Sequence, residues 1–91
     1  MSAKRLVITG RVQGVGFRHW ITKRAQSMCV SGWVRNRADG TIEVLVDGPA
    51  DAVEELLRGC RLGPRGAEVR SIEETMGEPA EAPGFVMRTT A

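Results

Sequence analysis

The sequence has no tyrosine, a single histidine, two cysteines, two tryptophans and two phenylalanines. No apolar run approaches the ~20 residues that a membrane-spanning helix requires, and no long apolar segment follows Met1 as in a secretion signal. A cytoplasmic protein with no membrane partner is therefore expected. Cys29 and Cys60 stand at the ends of apolar helical stripes, with no second Cys or His at metal-ligand spacing. A disulfide framework and a zinc site are excluded on that count. Both thiols are read as buried and free, and whether either is reactive stays open. Acids are absent from Met1 to Ala38, where eight Lys or Arg occur (Lys4, Arg5, Arg11, Arg18, Lys23, Arg24, Arg35 and Arg37). The remainder carries eleven acids and five bases, for a formal net charge of +2. Such a field concentrates a small anion near the N-terminal half, although Lys23 and Arg24 read as ordinary solvated surface.

Within that basic half lies Gly10-Arg11-Val12-Gln13-Gly14-Val15-Gly16-Phe17-Arg18. It follows an apolar run from Leu6 to Ile8 and precedes a helical pattern, so it joins a strand to a helix. The first N–H groups of a helix lack intrahelical acceptors, and the macrodipole adds partial positive charge at the same end. Gly14 and Gly16 remove side chains that would keep an oxygen-rich ligand from the backbone, and they allow positive φ. Arg18 adds a guanidinium fork that matches two phosphoryl oxygens at once. The loop has neither the G-x-G-x-x-G order of dinucleotide sites nor the Gly-Lys-Ser/Thr of a P-loop. A phosphoryl cradle is one reading, and a plain turn is the other.

Ninety-one residues make one domain, 1–91, with one core and no internal repeat. Arg5 to Gly10 alternates as a half-buried strand. Phe17, Trp20, Ile21, Ala25 and Met28 recur at helical spacing as one buried stripe, which leaves His19 facing solvent rather than in the chemistry. Val30 to Arg35 is a second strand, with Val30, Gly32, Val34 and Asn36 on one side and Ser31, Trp33 and Arg35 on the other. Asn36 therefore stands at a strand end. Asn36 to Gly40 turns the chain into a third strand, Thr41 to Asp47. Pro49 opens a second helix, whose buried stripe is Ala52, Val53, Leu56, Leu57 and Cys60. Ala67 to Glu73 is a fourth strand, Thr75 to Pro83 an exposed, mobile connection, and Phe85 to Arg88 a short last strand. The order gives an α+β, ferredoxin-like split βαβ sandwich, βαββαβ plus a short extra strand, with two helices on one face of an antiparallel sheet.

GRVQGVGFR, followed by GWVRN at Gly32 to Asn36 and by Asp39-Gly40, closely resembles the acylphosphatase family, and the likeness runs from about Arg5 to Arg88. The resemblance implies hydrolysis of a carboxyl-phosphate bond in small acyl phosphates, giving a carboxylate and inorganic phosphate. It implies that the loop of Gln13, Gly14, Val15, Gly16, Phe17 and Arg18 binds the phosphoryl group, and that Asn36 orients the attacking water, so Arg18 and Asn36 are the catalytic pair. No metal and no cofactor are expected, nor a nucleic-acid partner, and the chain is expected to be a monomer. Where members often have a Gly-Leu-like pair, this sequence reads Cys29-Val30-Ser31, which puts the turn between the first helix and second strand in question. Two competing readings remain. A noncatalytic anion-binding module would use the same loop, and an RNA-binding sheet of the same topology would present aromatics for base stacking, of which Phe17 and Trp20 are already assigned to a helix core.

Overall fold

The computed structural model describes residues 2–91. Its elements are β1 (Ser2–Arg11), α1 (Phe17–Ser27), β2 (Ser31–Asn36), β3 (Ile42–Gly48), α2 (Ala50–Leu62), β4 (Glu68–Met76) and β5 (Phe85–Met87). The sheet order is β4-β1-β3-β2-β5. The first four strands pair antiparallel, while β5 joins β2 in parallel, so the short extra strand makes the sheet mixed.

Strand alternation sends Leu6 and Ile8 of β1, Val34 of β2, and Ile42, Val44 and Val46 of β3 to one face, all fully buried. Phe17, Ile21 and Ala25 of α1 and Val53, Leu56, Leu57 and Cys60 of α2 cover that face and close a single core. The register positions the site. Ile42 is paired with Ile8 on one side and with Asn36 on the other. The exit of β1 into the glycine loop and the end of β2 therefore lie across one strand from each other, at about 4.8 Å per strand step.

Two expectations are corrected. Thr75 and Met76 belong to β4, with Arg5 opposite Thr75 and Lys4 opposite Met76. β4 is an edge strand, exposed at most positions, so backbone pairing rather than apolar alternation decides where it ends. The rest of the connection is fastened to the sheet: the Gly77 N–H donates to the Ala3 carbonyl at 3.1 Å, and the Ala80 N–H donates to Asp47 Oδ2 at 2.9 Å. The second correction is Cys29. Cys60 is buried, whereas Cys29 is exposed, because it lies just beyond the end of α1 with φ 57°. The Cys29 N–H donates to the Gln26 carbonyl at 3.2 Å and the Val30 N–H to the Ala25 carbonyl at 3.3 Å. That pair of bonds is a Schellman closure, in which the left-handed position is ordinarily glycine.

Candidate active site

The loop after β1 takes its shape from two left-handed residues, Gly14 at φ 77° and Gly16 at φ 78°. A Cβ on either would meet no atom within 4 Å, so both glycines present bare backbone to open space. The Trp20 N–H donates to the Gly16 carbonyl at 3.0 Å, the first bond of α1. The N–H groups of Phe17, Arg18 and His19 precede it and have no acceptor within the helix. Gly16, the N-cap, supplies no capping side chain, and the first turn holds no acid. The positive end of α1 is left unneutralised.

Arg18 rises from the first turn into the same space. Its Nη1 donates a long bond, 3.4 Å, to the Arg88 carbonyl, and among the described residues no acid pairs with it. Its remaining donors are therefore available to an incoming anion. Asn36, at the end of β2, borders the same cleft of about 180 Å³, together with Gln13, Gly14, Gly16, Phe17, Arg18, His19 and Met87. The Val15 side chain packs against the core, so its backbone N–H is what this residue can offer the loop. His19 is exposed, as its place off the apolar stripe requires, yet it stands on the rim.

The turn after Asn36 is held without the Asn36 side chain. Asp39 Oδ1 accepts from the Thr41 N–H at 3.0 Å and from Thr41 Oγ1 at 2.6 Å, and these bonds hold the Asp39 carboxyl below its ordinary pKa. The Arg37 N–H donates to the Thr41 carbonyl at 2.9 Å. Gln13 completes the turn from across the cleft: its Nε2 donates to the Arg37 carbonyl at 2.8 Å and to the Thr41 carbonyl at 2.9 Å. Both amide hydrogens are thus spent on the β2–β3 turn. Its side chain is a clasp between the loop and the strand end that carries Asn36, so only its backbone N–H is left for an anion. The Asn36 side chain makes no hydrogen bond with another described residue, and the residue lines the cleft.

Among the described residues no three His, Cys, Asp or Glu are gathered as metal ligands, and no helix is long and apolar enough to cross a membrane. Sequence reasoning missed the Gln13 clasp, whose partner carbonyls lie 24 and 28 residues away. It also missed Met87 on the rim, which reaches the cleft only because β5 lies beside β2.

Fold and cleft together define a ferredoxin-like α+β protein in which a glycine loop at a helix start, an arginine with no acid partner and a strand-end asparagine line one cleft. A family model for acylphosphatases matches residues 4–87. The chain is 61% identical over 90 residues to an acylphosphatase of Acidiphilium cryptum, covering 99% of each. Its fold matches the crystal structure of an acylphosphatase from Bacillus subtilis with a TM-score of 0.90 at 34% identity, covering 97% of this chain and 99% of that one. An acylphosphatase from Coxiella burnetii also matches with a TM-score of 0.90, at 28% identity and covering 96% and 92%. The chain belongs to the acylphosphatase family. It is an enzyme whose substrates are small acyl phosphates and whose products are a carboxylate and inorganic phosphate.

Proposed function

We propose that the backbone amides from Gln13 to Arg18, with the Arg18 guanidinium, hold the phosphoryl group, and that Asn36 holds the attacking water. The observation that carries this reading is the shared cleft: the bare end of α1, an arginine with no acid partner and the free Asn36 amide all open onto it. Phosphoryl transfer asks mainly for positioning and for stabilisation of the charge on the equatorial oxygens. Amides and a guanidinium supply both. The leaving carboxylate has a conjugate acid of pKa about 4, so a general acid has little to add. Asn36 is neutral and is no base; its amide donates to and accepts from the water, and the water's proton passes to a phosphoryl oxygen of the substrate. An enzymic base titrating in the pH profile of kcat would rule out that last step. No metal takes part in this scheme. The chain works as one domain, 1–91, as a monomer in the cytoplasm, with no nucleic-acid partner.

Comparing Arg18→Ala with Asn36→Ala tests the division of labour. Arg18 meets charge present in substrate, transition state and product alike. Its loss weakens phosphate inhibition along with turnover, by several hundredfold if two charge-assisted bonds of about 1.5–3 kcal/mol each are lost. Asn36→Ala lowers kcat by roughly a hundredfold or more while phosphate binds nearly as before. The turn is held by Asp39 and Gln13, so the Asn36→Ala protein keeps its melting temperature. A folded Asn36→Ala enzyme with near-normal kcat would remove Asn36 from the mechanism.

A further inference from the structure

The sheet face opposite the helices carries a second basic cleft that the reaction does not use. Its floor is Trp33, around which three guanidinium carbons gather: Arg35 at 4.8 Å from the ring centroid, Arg88 at 4.9 Å and Arg5 at 5.9 Å. The acid among them, Glu43, is the buried charged side chain among the described residues. Glu43 takes Arg35 through Nε at 2.8 Å and Nη2 at 2.7 Å, and Arg5 through Nε at 3.2 Å. One carboxylate thus pairs with two of the three guanidiniums. Arg35 is satisfied by it, Arg5 is engaged at Nε alone, and the Arg88 side chain has neither an ion pair nor a hydrogen bond with another described residue. Between them opens a cleft of about 440 Å³, which the connection after β4 also lines through Glu78, Pro79 and Glu81. Neither Glu78 nor Glu81 pairs with an arginine among the described residues.

We propose that this cleft is a second anion site, taking a small multiply charged oxyanion of the phosphate class between the guanidiniums of Arg5 and Arg88 above Trp33. Cation–π contact holds the two forks in place without using their N–H donors. Donors so fixed lose little freedom when they close on phosphoryl oxygens. The two lining acids favour a compact anion held on the arginine side of the cleft, whereas an extended nucleic-acid strand lying along the sheet would bring further phosphates near Glu78 and Glu81. Arg88 also joins the two clefts. Its N–H donates to the Val34 carbonyl at 2.8 Å and its carbonyl accepts from Arg18 at 3.4 Å. An anion that draws the Arg88 side chain inward therefore acts on the residue that receives Arg18, and the reaction's own product belongs to the class that would bind.

Calorimetric titration with inorganic phosphate and with pyrophosphate, alongside Trp33 fluorescence, tests the site. Two sites per chain are expected. Arg18→Ala removes one and leaves the fluorescence response, and Arg5→Met weakens the other at least tenfold while leaving kcat in phosphate-free buffer unchanged. Glu81→Gln tightens the second site. If Arg5→Met fails to fold, Arg88→Met serves for the binding measurement. A single phosphate per chain, lost in Arg18→Ala, overturns the proposal and leaves the catalytic reading intact. A second phosphate indifferent to both Arg5→Met and Arg88→Met overturns it as well. Tight binding of a single-stranded oligonucleotide that Arg5→Met abolishes would make the face a nucleic-acid surface instead.

Discussion

Cys29→Gly is expected to stabilise the protein. Cys29 occupies the left-handed position of the turn that ends α1, at φ 57°, and its side chain is exposed, so replacing it forfeits no buried contact. A side-chain-bearing residue in this region costs about 1–2 kcal/mol. Glycine avoids that cost but brings a more flexible unfolded chain, which takes back about 0.4–1 kcal/mol. The balance is a gain of about 0.5–1 kcal/mol, or about 2–8 °C in Tm for a domain of this size. Thermal and urea unfolding measure it, and Cys29→Ala is the control: alanine keeps the backbone penalty, so its Tm stays near the parent's. The turn is about 16 Å of helix away from the loop, taking 1.5 Å per residue over α1, so kcat should not change. A Cys29→Gly protein that melts at or below the parent would refute the strain argument.

Gln13→Met removes both bonds to the β2–β3 turn while nearly keeping the side chain's length; kcat should fall at least tenfold in the parent but less than twofold when Asn36 is already alanine, and equal losses in both backgrounds would mean that Gln13 does not act through Asn36. Hydrolysis should survive EDTA undiminished, and activity lost to the chelator and restored by Mg or Zn would overturn the metal-free scheme. Burial pushes the Cys60 thiol up to about 12, so iodoacetamide at pH 8 should label Cys29 alone in the native protein and both thiols in urea, as peptide mapping would show. The unfolded Cys60 thiol ionises near its ordinary value of 9.0 while the folded one does not. Its contribution is therefore complete below about pH 9 and declines as pH rises from there toward the folded value, which unfolding at pH 8 and pH 10 would reveal.

The glycine loop and Asn36 were legible because their signals are local. A pair of glycines before a helical stripe marks a strand-to-helix junction, and strict alternation from Val30 puts Asn36 on the helix-covered side at a strand end. Cys29 was misjudged because an apolar stripe does not show where its helix stops. The capping bonds from Cys29 and Val30 decide that, and glycine, the usual marker, is missing. The end of β4 was hidden for a related reason: Thr75 and Met76 read as the start of the connection by composition, yet β1 supplies their ladder. The Gln13 clasp and the arginines around Trp33 depend on which strands become neighbours. Trp33 could be placed on the face away from Asn36, but nothing local announces that Arg5 and Arg88 arrive beside it.

The bare start of α1 ties folding to catalysis. A helix with glycine at the N-cap in place of a capping side chain forgoes only about a few tenths of a kcal/mol, and α1 forgoes it where the phosphoryl group is proposed to bind. The anion then completes the helix: it becomes an exchangeable N-cap, bonding to the N–H groups that Gly16 leaves vacant. Saturating phosphate should accordingly raise Tm by mass action, by about 2.7 kcal/mol of stability at a hundred times its Kd, and should slow hydrogen exchange first in the opening turn of α1. A permanent acid in that turn, as in His19→Glu, would steady the resting protein by the same chemistry and blunt its response to phosphate, since it would neutralise the helix end at which the substrate is proposed to bind.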